Sequence, residues 1–149
     1  MKKVVILIAV ILVAIQFYRP DKNISENSSH NSIEKQYTVP ENVRLLLKTS
    51  CYDCHSNNTY YPWYSNIQPV AWWLNKHIVE GKRELNFDEF NSYSPEKKKK
   101  KLVETIDEIE KNGMPLRSYT FIHKDAVLTQ EQQKEIIDWA KKLKDSIPD

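Results

Sequence analysis

An unbroken apolar run, Val4 to Ile15, follows Met1-Lys2-Lys3 and closes at Gln16-Phe17-Tyr18-Arg19-Pro20. A helix of this composition has no polar face to turn toward water, so it does not read as a surface helix of a globular domain. A basic start before an apolar stretch is the pattern of an export signal. No small-x-small cleavage site follows it, so residues 1–19 are expected to remain as an uncleaved signal anchor, with a cleaved signal peptide as the alternative. The run of 12, or about 15 with Phe17 and Tyr18, is short beside the roughly 20 residues that span a bilayer. Lys2 and Lys3 favour the cytoplasmic side. The chain is therefore expected to be tethered to the inner membrane, with everything after the anchor on the periplasmic, outer side. Residues 20–38 are rich in Ser, Asn and charge and read as a flexible linker, with His30 a solvated side chain within it.

Residues 39–149 change character. Pro40 suits a first helical turn, and Val43, Leu46 and Leu47 form an apolar stripe running toward Cys51. Asn57 to Pro69 holds two prolines and no sustained period, which predicts an ordered aromatic loop. Val70 to Glu80 is expected as a second helix, its inner face Val70, Trp73, Leu74, His77 and Ile78, stopped by Gly81. A third is expected from Ser94 as cap, with Pro95 in its first turn, Leu102, Val103, Ile106 and Ile109 inward, and Gly113 at its end. A fourth begins at Thr129, where Gln132 completes a capping box, with Ile136, Ile137, Ala140 and Leu143 inward and Trp139 at the edge. The run Lys97–Lys101 reads as a solvated face, or else as a docking patch for an acidic redox partner. No strand pair and no internal repeat is visible. The expectation is an all-α fold: a small bundle of about four helices with long loops, preceded by an N-terminal membrane helix.

Composition narrows the picture further. Two glycines among 149 residues argue against a turn-rich β fold. Without Lys2, Lys3 and Arg19 the basic and acidic residues number 19 and 20, a balance that gives no case for binding nucleic acid. The two cysteines, three positions apart, would close too short a loop to act as a staple.

Those cysteines stand in Ser50-Cys51-Tyr52-Asp53-Cys54-His55. Thiols at i and i+3 share one side of a helical turn, so both can reach the vinyl groups of a single haem, and the following His55 comes round to its iron. The expected cofactor is one covalent haem c per chain, held by Cys51, Cys54 and His55. A structural zinc site would need a second ligand pair, whereas His30, His77 and His123 are scattered. A thioredoxin-like dithiol would need a βαβ setting that is missing. For the second axial ligand, Met114 in Gly113-Met114-Pro115 is favoured, because Gly and Pro fix the chain around its thioether; His77 and His123 are the alternatives.

The stretch from Cys51 to Trp139 resembles the haem-binding domain family of bacterial c-type haem proteins. The resemblance is carried by the C-x-x-C-H motif, by Tyr61-Pro62-Trp63-Tyr64-Ser65-Asn66-Ile67-Gln68-Pro69, and by Trp72-Trp73-Leu74 with His77-Ile78 and Gly81-Lys82. It continues through Leu85-Asn86-Phe87, Gly113-Met114-Pro115, Tyr119, and Leu128-Thr129 to Trp139, and the anchor ending in Arg19-Pro20 is similar to the usual start of such chains. The resemblance implies haem binding in the cell envelope and electron transfer. In such a small cytochrome-c-like domain the haem would be the core, with Trp63, Tyr64, Trp72 and Trp73 as candidate walls and Arg83 and Arg117 as candidate propionate partners. The leading expectation is a one-electron carrier with an unidentified redox partner protein. A peroxidase-like enzyme or a gas or redox sensor is the alternative, and either would need an open iron site.

Overall fold

The computed structural model describes residues 1–148. Helices carry the fold: α1 (Lys2–Ala14), α2 (Ile33–Gln36), α3 (Glu41–Ser50), α4 (Tyr52–His55), α5 (Val70–Glu84), α6 (Pro95–Glu110), α7 (Arg117–Ile122) and α8 (Gln130–Ser146). Short 3-10 turns fill the connections, and no strand occurs among the described residues. The four longest helices after residue 38 are the four that the periodicity predicts. With α1 they make five substantial helices.

The pair α6 and α8 forms the main packing unit, and α3 lies against α8. Both long helices start where capping chemistry says they should. Ser94 accepts a bond from the Lys97 amide ahead of Pro95, and Thr129 and Gln132 exchange both bonds of a capping box. Between them lie Leu47, Phe90, Leu102 and Ile136, all effectively sealed from solvent, and each such burial contributes roughly 1.5–3 kcal/mol. Trp139, expected at the edge of its stripe, is buried in this cluster, whereas Val103, expected inward, is exposed.

Three other expectations are corrected. Gly81 does not stop α5, which continues to Glu84, and the buried face of that helix is Ala71 and Ile78, with Val70 and Trp73 exposed. The reason is close approach. A Cβ at Gly81 would lie 2.7 Å from the Cys54 carbonyl oxygen, so the glycine sets the register of α5 against α4. Likewise α6 ends before Gly113: Asn112 takes the left-handed conformation (φ 55°), and the Gly113 and Met114 amides both donate to the Glu108 carbonyl.

The segment read as a flexible linker is laid along the domain. Asn23 donates from its side chain to the Ser56 carbonyl and Thr59 Oγ1, its backbone amide donates to the Tyr61 hydroxyl, and Lys82 Nζ donates to its Oδ1. Ile33 is fully buried in the main core, and the Asn91 amide and side chain donate to Asn31 and Ser32. Polar composition looked like disorder, yet Asn23, Ser25, Asn31 and Ser32 meet polar groups of the domain.

The lysine run is also not simply solvated. Lys98 is buried, with its ammonium near the Tyr37 and Phe90 rings, and the Lys101 side chain is only 11% exposed. Residues three apart share a helix face, so two of the five lysines must turn inward once that face is packed.

No helix among the described residues is long and apolar enough to cross a membrane. The expected membrane helix falls short: α1 has 13 residues, none buried against the domain.

Candidate functional site

The chain breaks helix at Cys51, which caps α3 and opens α4, so Cys51 to His55 form a turn of their own. The Cys54 and His55 amides donate to the Cys51 carbonyl at 3.1 and 2.9 Å. Asp53, a spacer position of the motif, clamps this turn. Its Oδ1 accepts from the Tyr60 amide (2.9 Å) and its Oδ2 from the Tyr119 hydroxyl (2.8 Å), while its carbonyl accepts from Thr59 Oγ1 (2.6 Å). Burial, then the Asp53 charge and hydrogen bond, push the Tyr119 phenol up, so it stays protonated and donating.

His55 is largely buried, and its Nδ1 lies 2.9 Å from the Leu85 carbonyl oxygen. A carbonyl can only accept, so Nδ1 carries the proton and Nε2 keeps its lone pair. Burial lowers the His55 pKa, partly offset by hydrogen bonds to the Leu85 and Gly81 backbone, which favours the neutral ligand form. The Leu85 carbonyl is presented by a stretch that Asn86 organises: it accepts from the Asp88 amide and donates to Asn57 Oδ1.

Cys51, Cys54 and His55 face a two-lobed cavity. One lobe, about 280 Å³, is lined by all three together with His77, Gly81, Met114 and Tyr119. The other, about 430 Å³, is lined by Cys51, His55, Leu85, Phe87, Ile109, Met114 and Leu128, with Lys101, Glu104 and Glu108 among its polar members. Ser50, Cys51, His55, Glu84, Met114 and Pro115 belong to both. The larger lobe falls in the range of small-molecule and cofactor sites, and the smaller lies just below it.

The thiols are free. Burial, with the neighbouring Cys54 second, pushes the Cys51 thiol up to about 12, and burial followed by the Asp53 charge pushes Cys54 up to about 11. A catalytic dithiol needs the opposite shift. Among the described residues no three His, Cys, Asp or Glu side chains group as a metal site.

Of the two alternative histidines, only His77 reaches the cavity. Its Nδ1 lies 2.8 Å from the Trp73 carbonyl oxygen, leaving Nε2 as an acceptor, and its ring packs at 4.2 Å on Trp73. His123 is engaged elsewhere, with Nε2 at 2.6 Å from the Tyr64 hydroxyl and its ring stacked on Tyr119. Met114 lines both lobes and is fixed by its amide bond to Glu108 and by the following Pro115.

The expected aromatic walls are not there: Trp63, Tyr64, Trp72 and Trp73 do not line either lobe, nor do Arg83 and Arg117, both exposed. The apolar walls come from Leu85, Phe87, Ile109, Leu116 and Leu128 instead. Lys101 is the cation at the cavity. Burial opposes its charge, but Glu104 and Glu84 more than reverse this and hold its pKa above the ordinary value. Its sequence signal was present, an i+3 partner of Lys98 on a packed helix. Asp53 and Gly81 carried no comparable signal, because each acts through a contact between separate segments.

Two features fit a bound planar group of haem type. Ser50 Oγ is buried beside the cavity with no hydrogen-bond partner, a polar atom awaiting one. The donor set is two thiols and an imidazole on one turn, facing a thioether and a second imidazole. Gly81→Ala tests how tightly that turn is held. The new Cβ must displace the Cys54 backbone, at a cost of about 1–3 kcal/mol that outweighs the usual helical gain over glycine. The expected result is a thermal midpoint lowered by several degrees and reduced haem occupancy, read by calorimetry and absorbance.

The sequence model of the family described as haem-binding domain matches residues 10–142. No curated protein and no solved structure matches the chain.

Proposed function

The chain belongs to the haem-binding domain family, and on that footing we propose that it is a membrane-tethered monohaem c-type protein that transfers single electrons in the cell envelope. The observation that carries this reading is the convergence of Cys51, Cys54, His55 and Met114 on one cavity. Haem supplies an iron that cycles between two oxidation states. Everything else falls to this chain's own residues.

Cys51 and Cys54 would hold the macrocycle through thioethers, and His55 would ligate the iron through Nε2, its orientation fixed by the Leu85 carbonyl. Met114 would offer its thioether as a second protein ligand to the iron. Leu85, Phe87, Ile109 and Leu128 exclude water, which raises the reduction potential. Lys101 would meet a propionate by exchanging for it the longer of its two ion pairs, that to Glu84 at 3.4 Å, while keeping Glu104 at 2.7 Å. Cytochrome-like electron transfer fits such a site better than catalysis, because Met114 borders both lobes beside His55 and a thioether on the iron would leave no open site for a substrate. His77 is also the one observation that favours a second reading: as the ligand itself it would make a bis-histidine centre, and as a free base beside open iron it would support a peroxidase-like enzyme or a sensor.

The tether is α1. After Lys2 and Lys3, the remaining eleven residues of α1 are apolar all round with no contact burying them, and such a surface requires a non-aqueous partner. Lys2 and Lys3 at its start would keep that end cytoplasmic and the haem domain on the periplasmic side of the inner membrane.

Absorption spectra of the full chain, matured with haem-attachment machinery, test the function. A low-spin iron indifferent to carbon monoxide is expected. A high-spin or readily carbonylated iron would replace electron transfer with catalysis or sensing, and absence of haem would overturn the reading altogether.

A further inference from the structure

The foot of α1 is clamped to the domain without any spacer. The Gln16 side chain donates to the Gln68 carbonyl and accepts from the Gln68 amide, and Gln68 Nε2 and Trp72 Nε1 both donate to the Tyr18 carbonyl. The Gln68 side chain is only 3% exposed, so this junction is a packed joint and not a hinge. Around it the surface is unusually apolar: Phe17 (87%), Tyr18, Ile67, Val70 and Trp72 are exposed, and so is Trp63 (76%) on the turn Trp63–Asn66, whose Ser65 and Asn66 border a crevice with Arg19 and Pro20.

Length gives this patch a partner. The 11 apolar residues of α1, residues 4–14, rise about 17 Å, and the three-residue turn Ile15–Phe17 adds about 6 Å. Together they fall about 7 Å short of the ~30 Å hydrocarbon core. A short apolar segment is accommodated by drawing its flanks toward the bilayer, and what flanks α1 is the joint and its aromatic surround. Trp and Tyr are the side chains suited to the headgroup level, with apolar rings and a polar edge.

We propose that the patch around Trp63 and the foot of α1 is a lipid-contacting surface, which seats the domain directly on the bilayer interface in one fixed orientation. This rests on the reading of α1 as the membrane tether. Arg19 and Lys22, just past the joint, lie where phosphate headgroups would meet them.

The test uses the full haem-loaded chain in vesicles of phosphatidylethanolamine and phosphatidylglycerol, with a photoreactive benzoylphenylalanine replacing Ile11, Trp63 or Val103 in turn. Val103 is exposed on α6 and serves as the reference. Lipid adducts at positions 11 and 63, with none above background at 103, are expected. Adducts at 11 alone would overturn the seating while leaving the tether intact. No adduct at 11 or 63 would remove the tether and the seating together. Adducts at all three positions would also overturn it, since contact would not then be confined to this face.

Discussion

A chain carrying Cys51→Ala and Cys54→Ala together is expected to give up all its haem to acidified organic solvent, whereas the unaltered chain keeps its haem through the same extraction. On the proposed covalent attachment each thiol would add its S–H across one vinyl group, the hydrogen going to carbon, so two bonds would have to break before haem leaves. Both sulfurs line the lobe that also holds His55 and Met114. Both are half-buried, and desolvation pushes them up to about 12 and about 11, so in the haem-free chain they are poor nucleophiles and poor disulfide partners. Their chemistry therefore awaits a partner brought to the cavity. In the double variant His55 and Met114 still converge on that cavity, so haem is expected to bind but to exchange, and occupancy becomes a matter of its concentration. The pyridine spectrum in alkali separates the cases, because the band position reports how many vinyl groups remain. Unaltered chain that yields its haem to the solvent would end the covalent claim while leaving haem binding, the family property, in place.

What the sequence disclosed and what it hid divide along a physical line. Caps and periodic stripes are local, and they located α6 and α8 through Ser94, Pro95, Thr129 and Gln132. The turn that holds both thiols and the imidazole within five residues is local too. Close approach between distant segments is not local. Gly81 looked like a helix stop and is instead a contact with Cys54, 27 positions away. Asn23 looked like linker and binds Ser56, Thr59 and Lys82. The tryptophans looked like walls for the cofactor because aromatic rings suit a macrocycle. Yet Trp72 bonds to Tyr18 at the foot of α1 and Trp63 stands on the turn beside Arg19 and Pro20, while aliphatic side chains and Phe87 form the walls. Composition could name the chemistry of these residues, but only the fold assigned them a surface.

Met114→Ala is expected to keep covalent haem but lose the sulfur-to-iron charge-transfer band of the oxidised form and lower the reduction potential. Axial ligands move haem potentials over about 0.8 V, so a drop on the order of 100 mV is a conservative expectation. At about 59 mV per tenfold, that is roughly a fiftyfold shift toward the oxidised form. A thioether favours the softer, reduced iron, and Met114 is the residue placed to supply one: it borders both lobes, and its backbone is held by Glu108 and Pro115. His77 borders one lobe and is half-buried against Trp73. His77→Ala should then leave both band and potential as they were. The reverse pattern, potential moved by His77→Ala and unmoved by Met114→Ala, would assign a bis-histidine centre. The geometry already contains the reason such an exchange is plausible chemistry: His77, like His55, has its Nδ1 proton committed to a backbone carbonyl and its Nε2 lone pair free. The choice between ligands therefore rests on position, and Met114 stands where both lobes meet His55.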